Sequence, residues 1–279
     1  MIIQVFSDIH TEFHHDWGRE FVAKLDPTGV DVLAVAGDLG TRLCLPGVLD
    51  GLCRKYPHVV YVTGNHEYYH ITWQVVDGLL DKVRTKHPNF HRLRDSAVTI
   101  DGQRFVGGTL WFSEDPVAST HRQKMNDFSV IKDFEPGVYH RNRRAQAFLR
   151  KTVEPGDVVV THHIPSRRLI TPRWRNSPLN PFFVCDMTDL IERAQPKLWI
   201  YGHTHDSLVD QIGETLMVCN PLGYAGIELN PNFQEKFLVE VGPEVTELAE
   251  STSRAIIGVA PDGTAGRPHD EQRRTKGRR

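Results

Sequence analysis

The 279-residue chain reads as an α/β protein. Short apolar, β-branched runs alternate with segments whose apolar residues recur at helical spacing, the pattern of parallel strands joined by helices. Run after run stops on a glycine, a carboxylate, an amide or an imidazole, and open α/β sheets place their ligands at the carboxyl ends of strands. The composition, 39% hydrophobic and 24% charged, is that of ordinary globular material with enough apolar residues for one large domain or two small ones.

Residues 1–6 form the first expected strand, ending in Ser7-Asp8-Ile9-His10. On an extended backbone Asp8 and His10, two apart, point to the same side and could pair on a metal. An isolated pair of this kind is as often a surface turn. A short helix is expected over 21–25, and residues 32–36 form a second buried strand that closes on Gly37-Asp38. A strand-end aspartate is commonly only a helix N-cap, but this is the second strand in a row to stop on an acid. A helix over about 46–56 leads to the apolar run 58–63, which delivers Gly64-Asn65-His66-Glu67. Glycine permits a sharp exit there, and the next three residues offer an amide oxygen, an imidazole and a charge. Ile71, Val75, Val76, Leu79, Leu80 and Val83 then share one helical face, predicting a helix over about 70–86.

Residues 97–100 and 104–106 flank Asp101-Gly102, a strong two-residue hairpin signal. Residues 107–112 continue into a loop whose glycines or aromatics could approach a ligand. Residues 113–135 have no clean period and read as an irregular insertion. A helix over 136–151 follows, with Arg141, Arg143 and Arg144 expected on a solvated face. The strand at 157–161 closes in His162-His163. The 164–184 stretch, rich in Pro, Arg and Asn, is too long for a tight connection and stands as a candidate substrate wall or a plain surface loop. A helix over 186–194 and a strand over 197–201 lead to Gly202-His203-Thr204-His205, again two histidines flanking one residue. A hairpin around Gly213-Glu214, a turn at 220–224 and a last strand at 236–241 complete the order.

The net charge of −2 gives no broad basic field for nucleic acid or membrane. Cys44, Cys53, Cys185 and Cys219 form no C-x-x-C pair and fit reduced, packed thiols in a cytoplasmic protein. No apolar run is long enough to span a bilayer, and because the chain opens directly on a strand no signal peptide is expected. Residues 1–245 are expected to form one domain. Residues 246–279 are expected to be a disordered basic tail, with six basic residues against two acidic ones between Thr264 and Arg279.

Five strand ends thus carry Asp8 and His10, Asp38, Asn65 and His66, His162 and His163, and His203 and His205. A nitrogen and oxygen donor set without thiols suits Mn²⁺, Fe²⁺ or Fe³⁺, Zn²⁺ or Co²⁺. There are more donors than one ion needs, and two ions about 3.5–4 Å apart are the arrangement that hydrolyses phosphate esters.

The ordered set Asp8-Ile9-His10, Gly37-Asp38, Gly64-Asn65-His66-Glu67, His162 and Gly202-His203-Thr204-His205 resembles the calcineurin-like metallophosphoesterase family. The resemblance spans residues 8–205 and implies a four-layer α/β/β/α sandwich with a dimetal site at the strand carboxyl ends. Matched residue by residue, it implies that Asp8, His10 and His205 hold one ion, that Asn65, His162 and His203 hold the other, and that Asp38 bridges them. His66 is implied to reach the scissile phosphate rather than a metal. The family pattern, not periodicity, selects His162 over His163. Asp38-Leu39-Gly40-Thr41-Arg42 lacks the signature of the protein serine/threonine phosphatases, although Arg42 falls where their phosphate-binding arginine sits. Arg42, His163 and Arg167 are carried as candidate substrate contacts, and Glu67 as structural support. The implied activity is hydrolysis of a phosphomonoester or phosphodiester by a metal-bridging hydroxide, on a small or nucleotide-like substrate. A nuclease, using the arginines of 164–184 and the basic tail, and a non-catalytic scaffold of the same fold remain as alternatives.

Overall fold

Apolar runs become strands and helical-period segments become helices in the order the sequence sets. A computed structural model of the chain describes residues 1–242 and the strand at 246–248. The elements are β1 (Ile2–Phe6), α1 (Arg19–Lys24), β2 (Val32–Ala36), α2 (Leu45–Lys55), β3 (His58–Val62), α3 (Trp73–Lys86), β4 (Phe90–Arg92), β5 (Ser96–Ile100) and β6 (Gln103–Gly108). They continue with α4 (Asp127–Val130), α5 (Gly137–Thr152), β7 (Val158–Thr161), α6 (Asn180–Phe183), α7 (Thr188–Ala194), β8 (Leu198–Ile200), β9 (Leu208–Ile212) and β10 (Thr215–Cys219). The last are β11 (Gly223–Tyr224), β12 (Glu228–Leu229), β13 (Leu238–Val241) and β14 (Thr246–Leu248).

The strands make two six-stranded mixed sheets, in the orders β14-β13-β1-β2-β3-β4 and β5-β6-β7-β8-β10-β9, with β11 and β12 as a separate ribbon. The central strands β1 to β4 are parallel, as are β6, β7, β8 and β10, so each sheet presents a row of carboxyl ends.

Period-two alternation explains the layering. Ile3, Val5, Val32, Ala34, Val60 and Val62 from one sheet pack against Phe105, Val158, Val160, Leu198, Ile200 and Val218 from the other. The alternate residues of the first sheet, Leu33, Val35, Val59 and Tyr61, face outward onto Val48, Leu52, Val76 and Leu80 of α2 and α3. Val159 and Trp199 of the second sheet face Ala145, Leu149, Leu190 and Ile191 of α5 and α7. Strands buried on both faces read as unbroken apolar runs. The result is the expected four-layer α/β/β/α sandwich.

Several local expectations are revised. The helix read from residue 70 starts at Trp73, because His66–Tyr68 form a 3-10 turn and His70 is left-handed at φ 64°. The strands β4, β11 and β12 were not anticipated, since runs of two or three residues carry no readable period. Strand β14 pairs antiparallel with β13 just beyond residue 245. The 113–135 insertion holds a 3-10 helix at Ala118–Lys124 and the short α4. The basic face of α5 is only partly solvated: the Arg141 guanidinium lies 3.9 Å over the Trp73 ring and is half-buried. The hairpin at Asp101-Gly102 forms with both residues at positive φ, 47° and 82°, the geometry favoured by strand twist. Among the described residues no helix is long and apolar enough to cross a membrane. The basic tail lies outside the described residues.

Candidate active site

The ligand-bearing residues leave their strands through strained turns. Asp8, His10, Asp38 and His203 adopt positive φ of 49°, 49°, 51° and 62°. Left-handed backbone costs a non-glycine residue about 1–2 kcal/mol, and such strain concentrates at functional sites. The extended-backbone reasoning for Asp8 with His10 and for His203 with His205 therefore does not hold, because β1 stops at Phe6 and β8 at Ile200. Asp8 and His10 still meet, but His203 and His205 turn to different groups. The two sheets are stitched here by the His203 N–H, which donates to the Asp8 carboxylate at 3.0 and 3.2 Å, while within the second sheet the Gly202 N–H donates to the His162 carbonyl at 2.9 Å.

Three candidate ligand groups meet here, Asp8 with His10 and His205, His10 with Asp38 and His66, and Asp38 with His162 and His203, each with donor atoms within 4.8 Å of one another. Asp38 belongs to two of them, its Oδ2 3.7 Å from His10 Nε2 and 3.5 Å from His162 Nε2. Asn65 Oδ1 lies 3.1 Å from His162 Nε2, as does His203 Nδ1. His162 Nδ1 donates to the Ala36 carbonyl at 2.8 Å, which fixes the tautomer and aims the Nε2 lone pair into the cluster. The buried His10 Nε2 has no hydrogen-bond partner.

Close approach is bought by missing side chains. A Cβ on Gly64 would overlap the Asp38 carboxylate and lie 2.6 Å from His162 Cε1, and one on Gly202 would lie 2.6 Å from Asp8 Oδ2. Gly64 is thus required for space rather than for the sharp exit read from the sequence, since its φ is not positive.

Buried carboxylates dominate the electrostatics of the site. Asp8, Asp38, Glu67 and Asp127 are buried, Glu12 nearly so, and the ion pairs of Asp38 and Glu12 are all with histidines. Burial and the Asp38 charge push the Asp8 carboxyl up to about 7, and burial and Asp38 push Glu67 to about 7. Burial holds the His10 ring down at about 4, with the charge of His66 adding to it, so His10 is neutral and its nitrogen free to ligate. Burial opposes charge on His162, but Asp38 and Asp8 outweigh it and raise that ring to about 9. Buried carboxylates with no lysine or arginine beside them, together with imidazole nitrogens, are groups that divalent cations stabilise, so the donor set fits metal ions.

His66 sits beside these groups and lines the adjoining cavity. Its backbone N–H donates to Asp38 Oδ1 at 2.8 Å, and its Nδ1 lies 2.7 Å from Glu12 Oε1. Its ring stacks on Tyr69 at 4.1 Å, and its Nε2 is 3.4 Å from the Tyr224 hydroxyl. Burial works against a positive ring, but Asp38 and Glu12 raise His66 to about 9. Glu67 has a structural part: it accepts from the N–H groups of Asp38, Leu39 and Gly64 and from the Tyr61 hydroxyl, pinning two strand-end turns together.

The cavity, about 310 Å³, is lined by Asp8, Asp38, Asn65, His66, His203 and His205 together with parts of 124–127, 164–183 and 224–228. The three candidate substrate contacts do not line it. Arg42 is exposed. Arg167 points to Asp186, 3.9 Å away. His163 is fully buried behind the cluster, against Trp111, Phe112 and His203. The aromatics of 107–112 likewise pack the core, and Gly107 serves close pairing with Val160 rather than a ligand. Four residues were missed. Glu12 sits two after His10 and could have been read as an extension of that motif. Tyr69 follows His66 in an H-E-Y-Y run, and Tyr224 was read only as part of a turn. Asp127, which accepts from Asn65 Nδ2 and the Tyr69 hydroxyl at 2.9 Å each, had no signal in an aperiodic stretch.

A double-sheet α/β sandwich with a nitrogen and oxygen ligand cluster at its strand ends defines a metal-binding hydrolase class. The chain belongs to the calcineurin-like phosphoesterase family, whose family model matches residues 1–207. An uncharacterized protein of Acanthamoeba polyphaga mimivirus is 24% identical over 259 residues, a match covering 80% of this chain and 91% of the viral protein. Among solved structures, the fold is similar to phosphopantetheinyl hydrolase from Mycobacterium tuberculosis, with a TM-score of 0.64, 18% identity and coverage of 80% of this chain and 89% of the other. It is also similar to a protein of Thermus thermophilus, with a TM-score of 0.57, 15% identity and coverage of 89% and 97%. At these identities the likeness shows the fold alone.

Proposed function

We propose that the chain is a metal-dependent phosphoesterase that hydrolyses a phosphomonoester or phosphodiester of a small substrate. The observation that carries this reading is Asp38, a single buried carboxylate shared between two ligand groups with His66 hydrogen-bonded to it at the cavity floor. Asp8, His10 and His205 would hold one divalent ion, Asn65, His162 and His203 the second, and Asp38 both. Such ions supply an activated water and neutralise charge developing on the phosphoryl oxygens. His162 is held in the ligating tautomer by Ala36, and the Asn65 amide is oriented by Asp127, which takes its N–H₂ and leaves Oδ1 facing the cluster. Glu12 accepts from His66 Nδ1 and, with Asp38, favours the doubly protonated ring, so that Nε2 carries a proton to donate to a phosphoryl oxygen or the departing oxygen. The cavity is at the small end of ligand pockets, which favours a small molecule over a duplex. The four cysteines are free and buried, which suits a reducing compartment such as the cytoplasm.

The test is hydrolysis of bis-p-nitrophenyl phosphate and p-nitrophenyl phosphate by protein loaded with Mn²⁺. Activity on either that is abolished by chelation and by Asp38→Ala supports the reading. Turnover indifferent to Asp38 and His66 substitution contradicts it.

A further inference from the structure

Beyond the ligand rim, the cavity is walled on one side by residues 164–183, and the makeup of that wall limits what it can hold. Ile164, Leu169, Ile170, Trp174, Leu179 and Phe183 line it. Trp174 keeps 43% of its surface exposed although it belongs to a cavity wall, so part of an apolar ring is open beside the space the cavity encloses. The cation in this wall is already committed. The Arg173 guanidinium lies 3.1 Å from Glu228, 3.7 Å from Asp206 and 4.6 Å over the Trp174 ring. Both acids line the same cavity, where they would repel a second phosphate. Lys124, across the mouth, is exposed.

The wall is built rather than draped. Ile164 and Val184 pair as a parallel bridge at its base. At its tip the Thr171 hydroxyl donates to Asp206 at 2.6 Å, and Arg173 ties it to β12 through Glu228. A preformed apolar surface next to a polar cluster is the usual anatomy of a small-molecule site, in which a few polar groups orient the ligand and the apolar part holds it.

Resting on the phosphoesterase reading, we propose that the substrate is a phosphate ester carrying an apolar group, an alkyl chain of several carbons or a single aryl ring, seated against Ile170 and Trp174. The phosphate enters at Asp38 and His66, and the apolar group lies along 164–183. A nucleoside polyphosphate or a nucleic acid strand has its further charge where this wall offers Asp206 and Glu228, and is disfavoured.

The experiment is calorimetric titration of Mn²⁺-loaded protein with methyl phosphate and with hexyl phosphate, which differ only in apolar length. Hexyl phosphate is expected to bind at least about tenfold more tightly, a fraction of what full burial of five methylenes provides. In Trp174→Ala and in Ile170→Asn, both at partly exposed positions, the gap is expected to fall to about threefold or less. Equal or weaker binding of hexyl phosphate overturns the inference while leaving the phosphoesterase reading standing. A gap that persists undiminished in both variants overturns the assignment to this wall. Protein that binds Mn²⁺ but neither phosphate overturns the inference, while the phosphoesterase reading falls only if the same protein also leaves bis-p-nitrophenyl phosphate and p-nitrophenyl phosphate unhydrolysed.

Discussion

The ligand rim and the cavity wall face the same space and are built by opposite means. The rim is made of tight turns directly after parallel strands, with four ligand-bearing residues in left-handed backbone and carboxylates buried without lysine or arginine partners. The wall is a twenty-residue connection of 3-10 turns and a four-residue helix, apolar toward the cavity and ion-paired at its tip. On the proposed reading the rim trades stability for chemistry, and the wall supplies fit. Substitutions on the two sides should therefore separate: rim changes remove turnover or metal, and wall changes alter which ester is held.

The largest effect is expected at Asp38. Asp38→Ala removes the carboxylate that stands between His10 and His162, and hydrolysis of p-nitrophenyl esters should fall to background. His66→Ala should cost about 10²- to 10⁴-fold in kcat while metal content by elemental analysis stays near that of the unsubstituted protein. Loss of metal together with activity would move His66 from the substrate side to the ligand side.

Asp127→Ala frees the Asn65 amide to rotate, and should weaken binding of one Mn²⁺ by about 10- to 100-fold, as removal of a ligand-orienting partner does. Two binding phases in titration, only one of them shifted, would locate Asp127 at the Asn65 group. A uniform shift of both would break that assignment. Gly64→Ala places a methyl against Asp38 and His162, and is expected to cost about 1–3 kcal/mol of stability in denaturant unfolding as well as turnover. The smallest effect belongs to the wall, where Trp174→Ala should change unfolding free energy by no more than about 0.5 kcal/mol.

The same contrast explains what could be read from the sequence. The clustering of the candidate ligands was legible because they follow closely on apolar strands, so that Gly37-Asp38, Gly64-Asn65-His66 and Gly202-His203 stand out by local order, and two sheets then bring the strand ends together. The double-faced burial of β2, β3, β7 and β8 was legible for the same reason. The backbone of the turns was not: positive φ at Asp8 and His203 breaks the period-two logic that paired Asp8 with His10 and His203 with His205. Asp127 and Tyr224 reach the site from an aperiodic insertion and a late ribbon, and nothing in their neighbours marks them. The arginines misled because Arg42 was matched to a family position and Arg167 to a loop rich in charge, whereas Arg42 is exposed and Arg167 pairs outward, and only Arg173 of the segment reaches the cavity.

The central claim is that two ions share Asp38. The most direct test is Mn²⁺ binding stoichiometry by calorimetry on chelator-stripped protein, compared with hydrolysis of bis-p-nitrophenyl phosphate or p-nitrophenyl phosphate along the same titration. The account predicts two ions per chain, with hydrolysis rising only as the second site fills, and neither tight binding nor hydrolysis in Asp38→Ala. Fewer than one ion per chain, or full hydrolysis in stripped protein, would contradict it.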